Sequence, residues 1–550
     1  MTEIEKILKG LDPKSPHVFF IGGCGEFGMN FTAYIYEQKL YLVDAGLSFA
    51  PDHEIGIDSH IPDLEDLMEV FGSPEAYLIT HGHEDHVGAL PLINQRYPAP
   101  IYSGAWTLKI LEDRMAKFRQ PQESALSFEV KDFETTNHGP IEVTWIPMTH
   151  SLPGCYSLLI KFGDYKLFHS GDFKFDKNPP YEDPPNEKFL KSIAPVDALV
   201  VDSTNATKDG FCPSEADVYL PLLEVCEKAE ALVLITGFAS NFWRLKTILR
   251  VAKATGRKVC FAGASLFKTL DIASDLGAYD ADPKLIIEDS RLRDYSRDEV
   301  IIVATGSQGE PKAGLRRILN EEHRSIQMRA GDTIVFSSRT IPGNEKSVAE
   351  LISLCHKKEL NVITSRTHPA IHVSGHAYRD DLRTLHDLVK PRFYMPVHGS
   401  HTHLIANCNL MEDSAVAIEN GDLFRLSSNE VEKIAHLPPE LLFVDSWSRR
   451  PLEYRDMRAR HKIGDSGLVL ITGQKTGKKF TLSSDIIGLA LSDQEKTDFD
   501  NYLQRWPVDH MNGKTYSTEE MNDMLALQMR RYLSQMLVKK PVVIARVQVS

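Results

Sequence analysis

Three histidines and two acidic residues fall within six positions of the sequence: His81, His83, Glu84, Asp85 and His86. An apolar run precedes them, and such a run predicts a buried strand. The histidines and Asp85 cannot all face one ion from a regular helix or strand, but a tight turn can place them around two ions. Imidazole and carboxylate ligands suit Zn²⁺ at a hydrolytic site with an open position for water. We therefore interpret this stretch as a metal-binding turn and not as a solvated polar loop.

Four more residues with useful chemistry each end an apolar, strand-like stretch: Asp44, His150, Asp172 and Asp202. A buried carboxylate at a strand end is costly unless it is paired. We interpret Asp44 as a residue that orients the metal-binding turn from behind, with a loop-capping role as the alternative. Taken singly, the other three would more often be structural.

Short strands make up the N-terminal part of the chain, whereas strands and helices alternate further on. The G-x-G-x-x-G pattern of Gly23–Gly28 leads into another strand, so we reject a nucleotide-binding loop. We expect later strands at 231–235, 258–261, 300–304, 333–336 and 361–363, and helices near 214–229, 240–254, 264–275, 312–319 and 345–356. This alternation predicts an inserted parallel α/β domain whose ligand-binding loops lie at strand ends.

The phrase from Thr80 to Pro91 resembles the metallo-β-lactamase superfamily and, more narrowly, the ribonuclease J family of β-CASP nucleases. Segments 168–176, 237–241, 305–310 and 337–345 resemble the same family. The resemblance implies an α/β fold: a metallo-β-lactamase αββα sandwich with an inserted parallel α/β β-CASP domain and a small α+β C-terminal domain. The expected boundaries are 1–205 for the first part of the sandwich, 206–362 for the β-CASP domain, 363–446 for the second part, 447–460 for a linker and 461–550 for the C-terminal domain.

By this resemblance, seven side chains hold two Zn²⁺ ions per chain, for which Mn²⁺ or Mg²⁺ can substitute. They are His81, His83 and His150 for one ion, Asp85, His86 and His398 for the other, and Asp172 as the bridge. Asp202 begins the first of three extra β-CASP motifs and is expected to support the site. His169 is expected to pack beneath the site and His368 in the core. A structural Ca²⁺ near Asp52 and Asp445 rests on family analogy alone.

The family likeness also implies which residues contact RNA: Phe238, Ser240, Asn241, Ser307, Arg339, His372, Val373, Ser374, Gly375 and His376. Backbone N–H, hydroxyl and imidazole donors in the 372–376 loop suit a nucleotide phosphate. Asp85 or Asp172 is expected to accept a proton from water. His376 is expected to stabilise the transition state or protonate the leaving oxygen. A pocket built from Ser374, His376 and the Ser307 and Arg339 loops would favour single-stranded RNA with a 5′-monophosphate.

The composition limits the class of protein. A chain of 550 residues predicts two to four domains, and 42% hydrophobic with 25% charged residues is ordinary for a soluble protein. No apolar run approaches the ~20 residues of a membrane span. Seven cysteines without a C-x-x-C pattern, and no signal-peptide core in the first 14 residues, indicate the cytoplasm. The net charge of −14 argues against a basic coat, but residues 206–362 carry 22 basic and 22 acidic residues, so we expect the wall facing a polyanion there.

After the polar, Arg-rich stretch 447–460, we expect strands at 466–472, 479–482 and 541–549 and a helix near 518–537. This region resembles, more weakly, the small C-terminal domain of the ribonuclease J family, which supports dimer formation. The resemblance thus implies a homodimer or homotetramer, and it allows partners in RNA degradation.

Two positions depart from the family pattern. Ser400 stands where the family usually has Glu, and Ala262–Leu266 lacks the basic residue of the usual Gly-Arg-Ser-Met loop. We expect a metal-dependent ribonuclease with 5′–3′ exonuclease and endonuclease activity in rRNA maturation and mRNA decay. The alternatives are a non-catalytic RNA-binding paralogue in a degradation complex, another metallo-β-lactamase-type hydrolase such as a thioesterase, and a DNA-directed β-CASP nuclease.

Overall fold

The computed structural model describes residues 2–51, 54, 56–117, 126–279, 282, 284–412, 414–445, 451–477, 479–511, 516–537 and 540–549. The chain forms two compact units, one of Met1–Phe49 with His60–Glu440 and the other of Ala50–Ser59 with Leu441–Ser550. Asp52, expected near a calcium site, lies outside the described residues. Among the helices that the structure describes, none is long and apolar enough to cross a membrane.

The first unit begins with short strands and helices. In chain order these are α1 Glu3–Lys9, β1 His17–Gly22, β2 Cys24–Gly25, β3 Phe31–Tyr36, β4 Lys39–Val43, β5 Ser48–Phe49, β6 Ser59–Pro62, α2 Glu65–Phe71, β7 Ala76–Leu78, α3 Glu84–Val87, α4 Leu90–Arg96, β8 Ile101–Ser103, α5 Ala105–Lys117, β9 Ser127–Glu129, β10 Thr135–His138, β11 Ile141–Pro147, β12 Tyr156–Phe162, β13 Tyr165–His169, α6 Glu187–Ile193 and β14 Ala198–Asp202.

Alternating helices and strands follow up to β19, and the chain then re-enters the two sheets of the first unit. The elements of both parts, in chain order, are α7 Tyr219–Lys228, β15 Val233–Thr236, α8 Phe242–Thr255, β16 Lys258–Ala262, α9 Ala264–Asp275, β17 Val300–Ala304, α10 Gly314–Leu319, β18 Thr333–Phe336, α11 Glu345–Lys357, β19 Asn361–Thr364, α12 Arg379–Val389, β20 Phe393–Val397, β21 Gly399–Ser400, α13 His401–Cys408, β22 Asp422–Leu426 and β23 Val431–His436, with 3₁₀ turns at Glu215–Val218, Asp289–Asp294, Arg297–Glu299 and Pro369–Ile371.

Two sheets form the sandwich of the first unit. Their strand orders are β23-β22-β1-β3-β4-β7-β8-β9 and β10-β11-β12-β13-β14-β20. Side chains from both sheets, among them Phe20, Tyr34, Trp145 and Leu158, are fully buried in one shared core. Helices α6 and α12 pack on the other face of the second sheet. The layered arrangement confirms the metallo-β-lactamase-type sandwich expected from the sequence.

The inserted segment forms a parallel sheet in the order β16-β17-β15-β18-β19. Two hydrophobic cores flank this sheet, and successive residues of β15 pack into opposite ones. Ile235 packs into the first core and Leu234 into the second. Burial of both faces explains why these strands appear in the sequence as continuous apolar runs. The predicted strands and helices of this segment are confirmed, although the two 3₁₀ turns before β17 were not anticipated. The exact domain boundaries stay predictions.

The second unit contains β24 Leu441–Val444, α14 Tyr454–Ser466, β25 Leu468–Thr476, β26 Lys479–Ile487, α15 Asp493–His510, α16 Thr518–Met536 and β27 Val542–Val549. Its sheet has the order β26-β25-β27, and Phe499 and Leu525 of the helices are buried with Val469 of the sheet. Two details correct the sequence prediction. Helix α14 begins inside the stretch expected to be a linker, and α15 was missed.

Candidate metal centre

The metal-binding turn lies between β7 and α4. His81 and His83 follow the strand, while Asp85 and His86 belong to the four-residue helix α3. The turn is held by backbone hydrogen bonds, in which the carbonyl of Asp85 accepts from Asn30 N (2.9 Å) and that of His86 from Ala45 N (2.7 Å). A Cβ at Gly46 would lie 1.7 Å from the Asp85 carbonyl oxygen, so only glycine fits at that position.

The remaining candidate ligands come from the second sheet. Strands β13, β14 and β20 are parallel neighbours, and β11 runs in the same direction two strands away. Their carboxyl ends therefore meet at one edge of the sheet, where His150, Asp172, Asp202 and His398 follow or end these strands. All seven residues expected to hold metal are thereby brought to one place.

A first group of four side chains surrounds one point. His83 Nδ1 lies 3.0 Å from His81 Nε2 and 3.2 Å from His150 Nε2. Asp172 Oδ2 lies 3.6 Å from His81 Nε2 and 3.7 Å from His150 Nε2. Ligand atoms about 2.0–2.1 Å from one tetrahedral ion are about 3.3 Å apart. The spacing therefore suits a single divalent cation.

A second group contains Asp85, His86, His398 and again Asp172. His86 Nε2 lies 3.3 Å from Asp172 Oδ1 and 3.6 Å from Asp85 Oδ2, and His398 Nε2 lies 3.3 Å from Asp85 Oδ2. The two oxygens of Asp172 thus face different groups, Oδ2 towards the first and Oδ1 towards the second. A carboxylate in this position can bridge two cations.

In the first ligand group, burial favours the neutral imidazoles that bind metal. It lowers the pKa of His83 to about 4 and holds the pKa of His81 and of His150 well below the usual value, so that these imidazoles stay neutral. In the second group, burial opposes ionisation of Asp172, but the positive charges of the neighbouring imidazoles, chiefly that of His398, hold the pKa of its carboxyl well below its usual range. Burial likewise opposes protonation of His398, but the Asp172 carboxylate raises the pKa of His398 to about 10, so a metal ion would displace a proton there. Neutral imidazoles and an ionised carboxylate are the forms that coordinate divalent metals.

Asp44 lies behind the turn, as its position at a strand end suggested. Its carboxylate accepts hydrogen bonds from Thr80 N (2.8 Å), Thr80 Oγ1 (2.8 Å) and His86 Nδ1 (2.7 Å). The bond to His86 leaves Nε2 directed at the second group. Asp44 and His398 both have left-handed backbone conformations, with φ of 58° and 56°. Such conformations are costly for residues other than glycine and are typical of functional sites.

His376 adjoins the second group. Its Nδ1 lies 2.8 Å from Asp202 Oδ2 and 3.7 Å from Asp172 Oδ2. Asp172, Asp202, His376 and His398 form a further cluster of closely spaced ligand atoms. Asp202 therefore orients the His376 imidazole beside the metal groups.

The loop that carries His376 is built into the centre. The carbonyl of Gly375 lies 2.7 Å from His150 Nδ1, and a Cβ on Gly375 would come within 2.7 Å of the His150 ring. Ser374 Oγ accepts hydrogen bonds from Asn205 Nδ2 (2.8 Å) and from His376 N (3.2 Å). The predicted residues Ser374, Gly375 and His376 thus lie at the metal centre.

The other residues expected to contact RNA lie further out. His372 Nδ1 faces the carbonyl of Ser337 (3.3 Å), and Val373 is buried. The Asn241 side chain caps α8, accepting from Arg244 N at 2.9 Å. The expected RNA contacts of these three residues stay predictions. The same holds for Phe238, Ser240, Ser307 and Arg339.

Three further residues, His169, His368 and Asp445, lie outside the ligand set. His169 packs beneath the site, with Nδ1 3.0 Å from Tyr34 Oη. The core position expected for His368 is wrong, because this residue is exposed at the start of a 3₁₀ turn and pairs with Thr367 Oγ1 at 3.1 Å. Asp445 forms an ion pair with Arg460 at 3.1 Å, and a calcium site there stays a prediction.

Sequence reasoning missed two residues that touch the candidate ligands. Asn30 Nδ2 lies 3.1 Å from Asp85 Oδ2 and 2.9 Å from His86 Nε2. Ser151 Oγ lies 3.2 Å from His83 Nε2. Ser151 adjoins a candidate ligand in sequence, which could have drawn attention to it, whereas no spacing links Asn30 to the turn.

Successive parts of this chain match three known protein families. Residues 26–210 match the metallo-beta-lactamase superfamily, residues 230–354 match "Ribonuclease J, beta-CASP domain", and residues 362–419 match "Zn-dependent metallo-hydrolase RNA specificity domain". Together with the sandwich, the inserted parallel sheet and the His/Asp centre, these matches define a β-CASP protein of the metallo-β-lactamase superfamily, a class of metal-dependent hydrolases.

Similar proteins narrow the class further. Ribonuclease J of Corynebacterium glutamicum is 33% identical over 482 residues, which cover 85% of this chain and 67% of that protein. Ribonuclease J of Sinorhizobium meliloti is 34% identical over 462 residues, covering 82% of this chain and 81% of that protein. The chain belongs to the ribonuclease J family.

A solved structure shows the same fold. It is that of a protein of unknown function from Enterococcus faecalis, which is 17% identical and superposes with a TM-score of 0.53 over 75% of this chain and 100% of its own. At this identity the likeness concerns the fold alone.

Proposed function

We propose that this protein is a divalent-metal-dependent ribonuclease that hydrolyses RNA phosphodiesters, from the 5′ end and internally, in RNA maturation and decay. The observation that carries the proposal is the position of Asp172, whose two carboxylate oxygens face two separate ligand groups beside His376. In a member of the ribonuclease J family, this arrangement fits two-metal hydrolysis of a phosphodiester.

We infer two Zn²⁺ ions per chain, for which Mn²⁺ or Mg²⁺ can substitute. His81, His83, His150 and Asp172 would hold one ion, and Asp85, His86, His398 and Asp172 the other. The mainly imidazole first group favours zinc, and the two carboxylates of the second also suit harder cations. Bound ions would supply an activated water and offset the charge that develops on the phosphate.

Asp85 is the better of the two candidates for accepting the proton of the attacking water. Its side chain is 26% exposed, whereas that of Asp172 is 2% exposed and faces both ligand groups. A general base must reach solvent or substrate, and Asp85 alone of the pair does so.

His376 is the candidate that contacts the phosphate or the leaving oxygen. Asp202 accepts from its Nδ1 and thereby stabilises an imidazolium whose Nε2–H remains to donate. The side chain of His376 is 20% exposed, so it can meet a substrate at the edge of the centre. Typical general-acid effects are ~10²–10⁴-fold in rate.

The preference for a 5′-monophosphate is assigned to the loop of Ser374 and His376, with help from the Ser307 and Arg339 loops. Arg339 is exposed and Ser307 is buried, so Arg339 is the member of this pair that can reach a charged end group directly. Arg guanidinium groups bind phosphate through paired, charge-assisted hydrogen bonds.

The decisive experiment compares one labelled RNA with 5′-monophosphate and 5′-triphosphate ends. Purified protein with Zn²⁺ or Mn²⁺ should cut both internally and degrade the monophosphate form from its 5′ end, and a chelator or His81→Ala should abolish both activities. His376→Ala should keep two bound ions per chain but lose turnover. If His376→Ala kept wild-type turnover on 5′-monophosphorylated RNA, its proposed role would be wrong.

A non-catalytic RNA-binding paralogue is the main alternative, because Ser400 replaces the usual Glu. Ser400 Oγ bonds His403 Nδ1 at 2.7 Å, while His398 is held by Asp172 at 2.8 Å. The seven ligand positions are filled, which favours the enzyme. A chain that binds RNA with neither bound metal nor cleavage would support the paralogue, and thioester cleavage without RNA cleavage would support another hydrolase.

We further propose a cytoplasmic homodimer or homotetramer that acts with RNA-degradation partners. All seven cysteines are free thiols in the structure, in agreement with a reducing compartment. Light scattering of the purified protein measures the oligomeric state directly, and a monomer at micromolar concentration would contradict this part of the proposal.

A further inference from the structure

Two basic side chains lie against one tyrosine just beyond the metal centre. Lys208 Nζ is 5.2 Å from the centroid of the Tyr378 ring, and Arg339 Cζ is 6.0 Å from it. Arg339 Nη2 also donates to Tyr378 Oη over 3.1 Å. Tyr378 is 8% exposed, Lys208 is half-buried and Arg339 is exposed. Tyr378 is thus a buried platform, and the charged groups of Lys208 and Arg339 lie over its ring on the side towards the surface.

Within the part of the chain that the structure describes, these two cations have no acidic partner, although the protein is acidic overall. Among the described residues, no ion pair joins Lys208 or Arg339 to a carboxylate, and the neighbouring Asp209 pairs with Arg379 instead (2.6 Å). Lys208 donates to the amide oxygen of Asn205, and the remaining ammonium hydrogens are available to a ligand. Counting the described residues alone, no carboxylate compensates the positive charge at this point.

The platform is continuous with the reactive loop. Asn205 receives the Lys208 ammonium on its oxygen and donates through Nδ2 to Ser374 Oγ (2.8 Å) and to the carbonyl of His376 (3.3 Å). Tyr378 follows His376 by two residues in the chain. A ligand bound by Lys208 and Arg339 would therefore lie next to the substrate position at His376.

The local electrostatics agree with an anion site. Burial first, and then the positive charges of Arg244 and Arg339, hold the pKa of His372 well below its usual value. Arg244 is already paired with Glu215, so the charge that a bound anion would offset is that of Arg339. Proteins that bind single-stranded nucleic acid commonly track its backbone with a basic groove beside aromatic side chains.

We propose that Lys208 and Arg339, held on Tyr378, form a subsite for one phosphate group of the RNA next to the scissile position. This proposal rests on the proposed function, which it extends to a substrate contact of Lys208. The phosphate is either the 5′-terminal group or an internal phosphodiester, and both offer the same charged oxygens.

The test compares Lys208→Met and Arg339→Gln with Lys258→Met. Lys258 is a matched control, because its Nζ also lies over a tyrosine (5.9 Å from the Tyr295 centroid) but at the amino end of β16. Binding of single-stranded RNA is measured by fluorescence anisotropy over a range of salt concentrations, and cleavage by kcat and KM. Lys208→Met and Arg339→Gln should each weaken binding by about five- to tenfold and raise KM with little change in kcat.

The salt dependence separates a phosphate contact from a structural role. Each substitution should make the slope of log K against log salt less steep by about 0.7, as expected for one lost contact to a single strand. Lys258→Met should change neither quantity. An unchanged slope and KM in Lys208→Met, or equal losses in Lys258→Met, would overturn the subsite.

To identify which phosphate binds the subsite, the affinity of each variant is measured for one RNA in two forms, with a 5′-monophosphate end and with a 5′-hydroxyl end. A loss of affinity confined to the phosphorylated RNA supports a terminal phosphate, and equal losses on both support an internal one. Failure of the proposed function can be told apart, since a wild-type protein that binds RNA without cleaving it would contradict the enzyme and not the subsite.

Discussion

The Nδ1 atom of His150 lies 2.7 Å from the carbonyl oxygen of Gly375, across 225 residues of sequence. A backbone carbonyl can only accept, so Nδ1 carries the proton and Nε2 presents its lone pair to the first ligand group. The segment that returns from the parallel sheet therefore sets the tautomer and the orientation of a candidate ligand in the sandwich.

Gly375→Ala should disturb this relationship without removing any ligand. The added Cβ would come within 2.7 Å of the His150 ring, so the ring or the loop must shift. We expect metal affinity to fall by about 10- to 100-fold, as for other changes around metal ligands, with a parallel loss of RNA cleavage. Titration with Zn²⁺ monitors the first effect. Gly464→Ala is the control, because a Cβ there meets nothing within 4 Å.

Asp44→Asn should weaken the second ligand group. The amide keeps the size of the carboxylate but loses its charge and one of the acceptors that serve Thr80 and His86. We expect about 10- to 100-fold weaker metal binding, measured as bound metal per chain after dialysis. Asp164→Asn, at an exposed position between β12 and β13, should retain full occupancy. Equal occupancy in both variants would exclude the orienting role of Asp44.

Arg244→Met should lower stability strongly. Arg244 is 3% exposed and forms a forked pair with Glu215 (2.7 and 3.0 Å), and it also donates to Ser337 Oγ (2.6 Å). Removing one partner of a buried ion pair typically costs about 3–5 kcal/mol in the free energy of unfolding. Urea unfolding of the chain measures this loss.

An exposed pair provides the comparison for Arg244. Lys228 and Glu224 lie four residues apart on α7, with side chains 74% and 64% exposed. Lys228→Met should change the free energy of unfolding by at most about 0.5 kcal/mol. Similar effects of Lys228→Met and Arg244→Met would show that burial does not govern the contribution of the Glu215 pair.

His138 should make the protein sensitive to acid. Burial lowers the pKa of His138 to about 4, below the ordinary value of about 6.5 in the unfolded chain. Its contribution to stability is therefore complete above pH 6.5 and is lost as the pH falls towards 4, by about 2–3 kcal/mol. His138→Gln should flatten the dependence of the melting temperature on pH over this range. A parallel curve for the variant would contradict the assignment.

The secondary structure could be predicted best where a local sequence pattern corresponds directly to burial. The strands of the inserted sheet are buried on both faces, so each appears as an apolar run, and β17 and β18 begin and end where predicted. The cluster from His81 to His86 could be recognised from its own spacing after a strand, whereas His150, Asp172 and His398 were assigned to metal by the family resemblance. Their mutual distances could not be predicted, since these depend on pairings such as β14 with β20.

The missed features have identifiable causes. Helix α15 contains Pro507 and many charged residues, which hid its period, although the capping box of Ser492 and Glu495 marks its start. Asn30 contacts Asp85 across 55 residues, and no periodicity reports such a contact. His368 was placed in the core because it matches no ligand position, whereas it lies exposed at the start of a 3₁₀ turn.

The bond between Asp172 and His398 spans 226 residues, which bears on how the protein is made. At about 5–20 residues per second, roughly 10–45 s of translation separate the two. Throughout that interval the growing polypeptide on the ribosome carries six of the seven side chains and lacks the last. The first ligand group is complete during that interval, whereas the second group lacks His398. The part of the metal-dependent gain in protease resistance that needs the second group should therefore appear only in nascent chains long enough to have released residue 398 from the exit tunnel.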